Sequence, residues 1–533
     1  MVAIPKDAIP CPKRPWTDVV AAKMSIRDDL LAKHRPDADS IPSTLGADLV
    51  DIKDVISLLK TKQVTALELI RGYIARSYAA HQKTNCLTEI CFDDAIAQAK
   101  HLDDYQQETG HLIGPLHGVP VTVKDQFNIA GLDSTLGYVG KAFAPASCDA
   151  PLIKTLKQLG AVIIAKTNLP QSIMWCETNN PLWGLTTHPH DSTLTPGGSS
   201  GGEAVMLALG GSLLGWGTDL GGSIRIPCHM NGIWGLRPSS GRITYRGVEL
   251  TQDGQQHIPS VVGPMARSLN SLTLATKLSI EAEHWTIDPQ LPPIPWRANV
   301  FETFSKKPLV IGALLDDGLV KVHPPIERVL RKLVEKLKSA GHEIVEWDSS
   351  LHSDIMKITD GLHTSDGGED IRRGVSEGGE PFVPRTQAFV DLGEPISVYS
   401  YWQLNKRKVT AQNAYLDMWN TVRSPSEKTV DLLLVPTMPH TAVPHTCCYW
   451  AGYTKVFNLL DYSALTFPAG KANRELDKKY NVTYEPRGEI DARVWGLYDA
   501  FTMEGLPVGL QLVGRRFEEE KVLGAMTQIE KLL

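Results

Sequence analysis

Residues 151–165 read PLIKTLKQLGAVIIA, and the fold class turns on this stretch. Asp149 and Pro151 open a helix, because proline is tolerated in a first helical turn, where its missing N–H has no partner to lose. Leu152, Ile153, Leu156 and Leu159 recur at helical spacing and form its apolar face. Gly160 stops the helix, and the unbroken apolar run 161–165 follows as a strand buried on both faces. The same unit recurs further on. Strand 309–312 leads through Pro324 and Pro325 into a helix carrying Ile326, Val329, Leu330, Leu333, Val334 and Leu337; Gly341 ends it and 343–345 begins another strand. Residues 119–123, 431–435 and 508–513 are further strand-like runs. Before residue 110 the chain reads as helices: Leu67, Leu69, Ile70, Tyr73 and Ile74 keep helical spacing, and 94–105 continues the pattern. Strands alternating with helices from about residue 115 to the end predict one α/β architecture.

Two segments break the regularity. Pro289, Pro292, Pro293 and Pro295 mark a surface connection. Residues from about 350 to 395, with Gly367, Gly368, Gly378 and Gly379 among charges, read as a long irregular insertion, the kind of segment that forms lids or binding loops. The expected organisation is one domain: a helical region at 1–110, a core at 111–285, a connection at 286–305, and 306–533 completing the same sheet, with the insertion at about 350–400 near the substrate pocket.

Composition removes several function classes. The 533 residues carry 54 basic and 60 acidic side chains, a formal charge of -6, with no long run of one sign, which excludes a nucleic-acid binder resting on a basic face. The eight cysteines lack CxxC spacing and histidines at zinc-finger intervals, so neither metal nor cofactor is expected, and the thiols read as reduced and cytoplasmic. Residues 1–16 hold four prolines and no apolar core of a secretory leader. The apolar stretch 205–216 falls short of the roughly 20 residues a bilayer requires.

The chemistry concentrates between residues 196 and 240. Glycines and serines crowd 197–202 (GGSSGG) and 217–225 (GTDLGGSIR), implying a chain that turns tightly or approaches something closely. A bland Gly-rich loop is one explanation. Phosphate binding is another, but neither the P-loop lysine nor the GxGxxG spacing is present. A serine nucleophile facing backbone amides is the third. Within it, Gly198 to Gly202 formally match the GxSxG elbow, with Ser200 as nucleophile, yet that elbow needs a strand before it, and Pro189 and Pro196 are implausible there. Ser223 is the better candidate, since the amides of Gly221, Gly222 and Ser223 can converge on one point and Ile224 onward can begin a helix. A hydroxyl needs a base. His229 reads as a structural helix residue; Lys124 ends the strand-like run 118–124, where burial would favour its neutral amine.

At these residues the sequence resembles the amidase signature family of serine hydrolases, and most closely its fungal acetamidase or general amidase branch. The two motif serines, 199 and 223, stand 24 positions apart; VPVTVKD at 119–125 lies upstream in the expected order, and AKTN at 165–168, GLRPS at 235–239 and GLPVGLQ at 505–511 add to the match. The resemblance implies a single α/β domain built on a central mixed, twisted sheet with helices on both faces. It also implies a triad: Ser223 as nucleophile, Lys124 as base and Ser199, after a cis peptide, as relay. The oxyanion hole would be the amides of Leu220, Gly221, Gly222 and Ser223, with Ser200, Asp219 and Arg225 orienting the serines. Met174, Trp175 and Cys176 would lie near the acyl pocket, joined by Tyr401, Trp402 and Tyr449. The implied reaction is hydrolysis of a carboxylic acid amide to acid and amine or ammonia through an acyl-serine. Acyl transfer or ester chemistry through the same acyl-enzyme, and a glutamine amidotransferase subunit, are the alternatives. The implied partner is a small-molecule amide, with no nucleic acid and no integral membrane segment; a homodimer is compatible.

Overall fold

The computed structural model describes residues 14–36, 49–478 and 484–533. The proline-rich start expected not to be a leader lies largely outside the described residues, at 1–13. The strand–helix units form as their punctuation predicts: helix Pro151–Gln158 begins on its proline, and Pro324–Ser339 on two. The described residues form thirteen strands: β1 Leu87–Ile90, β2 Pro120–Lys124, β3 Val162–Thr167, β4 Asn179–Asn180, β5 Gly184–Leu185, β6 Leu214–Asp219, β7 Trp234–Arg237, β8 Val261–Ala266, β9 Val310–Ala313, β10 Glu343–Glu346, β11 Leu432–Pro436, β12 Ala464–Lys471 and β13 Pro507–Val513. β4 and β5 pair alone; the other eleven form one sheet in the order β1-β3-β2-β6-β8-β7-β12-β13-β11-β9-β10.

The sheet is mixed. β3, β2 and β6 run parallel, as do β11, β9 and β10, while the strands between pair antiparallel. Every residue of β2, β3, β6, β8, β11 and β13 is buried, which requires cover on both faces and explains why 161–165, 431–435 and 508–513 read as continuous apolar runs rather than alternating ones. The parallel β2–β6 pair opposes Val123 to Trp216, so the carboxyl ends of both strands, with Lys124 and Thr218, finish side by side. Ligand crevices in open α/β sheets lie at such ends.

Two expectations are corrected. The amino-terminal region is not all helix: β1 sits between helices Ala66–Thr84 and Phe92–Thr109, a four-residue edge too short to show a period. The 350–395 segment is not irregular. It folds into helices His352–His363, Glu369–Gly378 and Pro384–Val390, and a fourth, Val398–Thr421, follows. Glycines cap these short helices rather than dissolve them, as Gly368 and Gly379 take left-handed conformations on either side of Glu369–Gly378. Met356, Asp360, His363 and Phe389 from this region line a cavity.

Candidate active site

Lys124 ends β2 with none of its surface exposed, and its Nζ lies 2.7 Å from Ser199 Oγ and 2.9 Å from Thr218 Oγ1. Burial lowers the amine to about 7, partly opposed by the charges of Asp219 and Asp125. Thr218 fixes which way the amine points. Its hydroxyl hydrogen goes to Gln126 Oε1 at 2.6 Å, and Gln126 is oriented by donating through Nε2 to the Glu249 carbonyl at 2.6 Å. Thr218 can therefore only accept from Lys124, which directs an N–H at Thr218 and leaves the lone pair of a neutral amine for Ser199. Neither Thr218 nor Gln126 stands out in the sequence as a site residue. Thr218 stands between Gly217 and Asp219 in a strand, where threonine is ordinary, though its neighbours were already candidates.

Ser199 and Ser200 enter from the loop before helix Gly201–Ala208, and the Gly198–Ser199 peptide is cis. A side chain at Gly198 would come within 2.5 Å of the Glu177 carbonyl, so this approach admits only glycine. The Ser200 N–H donates to the Ser223 carbonyl at 3.0 Å, tying the two serine loops together, while its hydroxyl makes only long contacts of 3.4 Å with the Thr218 backbone. Ser200 thus joins the loops and points away from the cavity chemistry.

The turn after β6 is organised by Asp219. Its carboxylate accepts from the amides of Gly222 (2.8 Å) and Ile224 (3.2 Å), from Arg225 Nε and Nη2 (3.0 Å each) and from Asn458 Nδ2 (2.8 Å). Burial works to raise this carboxyl, but the Arg225 charge and hydrogen bonds, with Arg237 and Asn458, hold it well below the usual range. Arg225 is itself fully buried and also donates to the Thr454 carbonyl, Gln511 Oε1 and Asn458 Oδ1. Because Gly222 spends its amide on Asp219, of the four amides expected in an oxyanion hole those of Leu220, Gly221 and Ser223 are the ones without a protein acceptor among the described residues. Gly222 sits at φ +128°, and a Cβ there would lie 2.3 Å from Thr454 Oγ1.

Ser223, Leu220, Gly221 and Gly198 form one wall of a cavity of about 480 Å³. The other walls are largely apolar: Ile173, Met174, Trp175 and Cys176, then Met356, Phe389 and Leu392, with Tyr449, Trp450 and Ile490. Met174, Trp175, Cys176 and Tyr449 are thus among the residues lining the cavity that Ser223 also lines. Tyr401 and Trp402 are not: both lie on the long helix Val398–Thr421, Tyr401 against His257 Nδ1 at 3.2 Å and Trp402 63 % exposed. His229 is structural, its ring nitrogens held by Gly509 and the His440 carbonyl, and burial lowers it. Among the described residues, no group of three or more His, Cys, Asp or Glu is placed to hold a metal ion, and no helix is long and apolar enough to cross a membrane.

Comparison with known proteins gives a consistent picture. The family model described as Amidase matches residues 68–523. The chain is 64% identical to "Amidase 2" of Gibberella moniliformis over 510 residues, 96% of each chain, and 35% identical to "Acetamidase" of Emericella nidulans over 485 residues, 90% of this chain and 88% of that one. Among solved structures, one titled "Fatty acid amide hydrolase" superposes with a TM-score of 0.87 at 32% identity, covering 98% of this chain and 91% of that chain.

Proposed function

The chain belongs to the amidase family and is an amidase; from that premise we propose that it hydrolyses its amide through an acyl-Ser223 intermediate, with Lys124 as the base and Ser199 as the relay. One observation carries the reading: a fully buried amine, lowered to about 7, lies 2.7 Å from Ser199 beside the cavity that Ser223 lines. Neutral Lys124 takes the Ser199 proton, Ser199 takes the Ser223 proton, and Ser223 Oγ bonds to the amide carbonyl carbon. Among the described residues no group hydrogen-bonds the Ser223 hydroxyl, so the transfer requires Ser223 to turn toward Ser199 as substrate seats, a tightening common when catalytic hydrogen bonds form. The amides of Leu220, Gly221 and Ser223 receive the oxyanion, each donor contributing about 10²–10³ in rate. As the C–N bond breaks, the proton returns through Ser199 to the departing amine. Water then gives its proton to the same relay and its oxygen to the acyl carbon, releasing the acid and Ser223.

The acyl or amine portion would occupy the apolar walls. The names of two relatives, an acetamidase and a fatty acid amide hydrolase, span short to long acyl groups, and a cavity of about 480 Å³ lined by Ile173, Met174, Phe389 and Leu392 favours an aryl or medium-chain group over acetamide. A panel from acetamide through anilides to long-chain amides reads this preference; a kcat/KM highest for acetamide would overturn it. Labelling with a fluorophosphonate tests the nucleophile: Ser223 should carry the adduct, and adduct on Ser200 would refute the assignment.

A further inference from the structure

We propose that a second cavity, on the far end of helix Gly452–Leu459 from the catalytic one, binds a small, multiply charged organic oxyanion, a carboxylate or a phosphate, and that its occupancy acts on the turn of Asp219 to Ser223 through Asn458. The binding is independent of the proposed function. The effect on turnover rests on it, because it requires that turn to hold the oxyanion.

The cavity, of about 630 Å³, is lined by three cations, Lys408, Arg515 and Arg516, against two carboxylates, Asp461 and Glu518. Each carboxylate is also held by a further cation, Asp461 by Arg237 at 2.9 Å and Glu518 by Lys521 at 2.9 Å. The site is therefore positive in a chain whose formal charge is -6, and a concave wall of one sign concentrates the opposite ion. Donors remain free on it. Lys408 Nζ gives one N–H to the carbonyl of His257, another lining residue, at 2.7 Å, which puts the ammonium at the wall with two N–H groups left. Arg516 pairs with Asp461 through Nε at 2.8 Å, and its two Nη groups have no protein acceptor among the described residues. Burial lowers the Lys408 amine, Asp461 opposes this, and Arg516 lowers it further, so the two cationic heads lie near one another and are short of anions.

Free guanidinium and ammonium donors match the oxygens of a carboxylate or a phosphate. Balancing the excess takes more than one negative charge, and Leu416 and Leu459 add apolar wall, so the space suits an organic anion over a bare ion. Helix Gly452–Leu459 carries the link to the chemistry. Lys455 and the preceding Ala451 line the catalytic cavity, whereas Asn458 and Leu459 line the second one. Along the way Thr454 Oγ1 donates to the Gly221 carbonyl at 2.7 Å, and Asn458 donates to Asp219 at 2.8 Å while accepting from Arg225 at 2.6 Å. The Asp461 amide donates to the Asn458 carbonyl at 3.2 Å. An anion that draws Arg516 away from Asp461 therefore pulls on a residue bonded to Asn458, and Asn458 holds the carboxylate that organises the turn.

Isothermal titration calorimetry of the full chain with citrate and with pyrophosphate, at ionic strength held constant with sodium chloride, reads the binding and separates the two sources of oxyanion. At least one probe should bind saturably, one per chain. Lys408→Gln and Arg516→Gln should each weaken it about tenfold or more, the worth of a charge-assisted hydrogen bond. Arg516 is 55 % exposed and Asp461 keeps Arg237, so Arg516→Gln leaves the core intact and decides alone should Lys408→Gln fail to fold. A saturating amount of the bound probe should change kcat/KM of the wild type by about fivefold or more, and the same amount should have little effect on Arg516→Gln. No saturable binding of either probe, or binding that survives both substitutions, would overturn the site. Binding that leaves kcat/KM unchanged would overturn its action on the turn. Fluorophosphonate labelling that misses Ser223 would refute the catalytic reading instead, and the calorimetry would stand.

Discussion

If Lys124 is the base proposed above, its amine carries opposite demands on stability and activity, and both are measurable. Its folded value is about 7 against about 10.4 in an unfolded chain. Between those limits the unfolded state binds the extra proton, so burying Lys124 costs most below pH 7 and the cost fades as pH rises toward 10.4. Lys124→Met should therefore raise the melting temperature at pH 7, with the gain shrinking by pH 10, while turnover falls by more than about 10³-fold. A variant both inactive and less stable at pH 7 would mean the amine is not the burdened group. In the wild type, kcat/KM should drop about tenfold per pH unit below 7, as the base becomes protonated. The two neighbouring serines separate in the same way. Ser200→Ala loses hydroxyl contacts of 3.4 Å and keeps the backbone bond to Ser223, so steady-state kinetics should show a loss of about tenfold or less, against more than about 10³-fold for Ser223→Ala.

Between β6 and helix Arg225–Asn231 the turn works as one element, with Asp219 as its centre. Asp219→Asn removes the charge opposite a fully buried Arg225, and an uncompensated buried charge costs about 3–5 kcal/mol. Urea unfolding should register that loss, and activity should fall with it because the amides of Gly222 and Ile224 lose their anchor. Much of this element was legible beforehand, since glycines, an acid and an arginine packed into nine residues leave few alternatives. Helices Pro151–Gln158 and Pro324–Ser339 were legible for a different reason: a proline start and a full apolar face agree with each other. The helices between 352 and 390 were not: in Glu369–Gly378 the two apolar residues Ile371 and Val375 are outnumbered by charges and glycines, and Pro384–Val390 is only seven residues long. Part of the cavity wall was legible where a motif lay nearby. Met174 to Cys176 lie between the motifs at 165–168 and 197–202, whereas Met356, His363 and Phe389 come from a segment that joins the site only through tertiary packing.

Across the whole molecule, the sheet must hold Lys124 in place beneath the site, and a second buried ionisable group does this from the opposite side of the charge scale. Glu203, on helix Gly201–Ala208, reaches Thr122 of β2 and Thr167 of β3, and Thr167 is the register partner of Lys124. It thereby joins the helix behind the serine loop to the two strands that set the lysine. Burial raises its carboxyl to about 8, opposed by the two threonine hydroxyls, so near neutral pH it is held largely as the acid. The sign is the reverse of Lys124. An unfolded glutamate titrates near 4.3, so between that value and about 8 the folded state holds the extra proton; the contribution is fully present below about pH 4.3 and is lost as pH rises through 8. Glu203→Gln keeps the shape and the hydrogen-bonding capacity without the titration. Calorimetry should find it close to the wild type at pH 5 and about 2–5 °C higher in melting temperature at pH 9. The same difference at both pH values would mean that Glu203 ionises freely in the fold and that the joint beneath Lys124 is an ion-tolerant one.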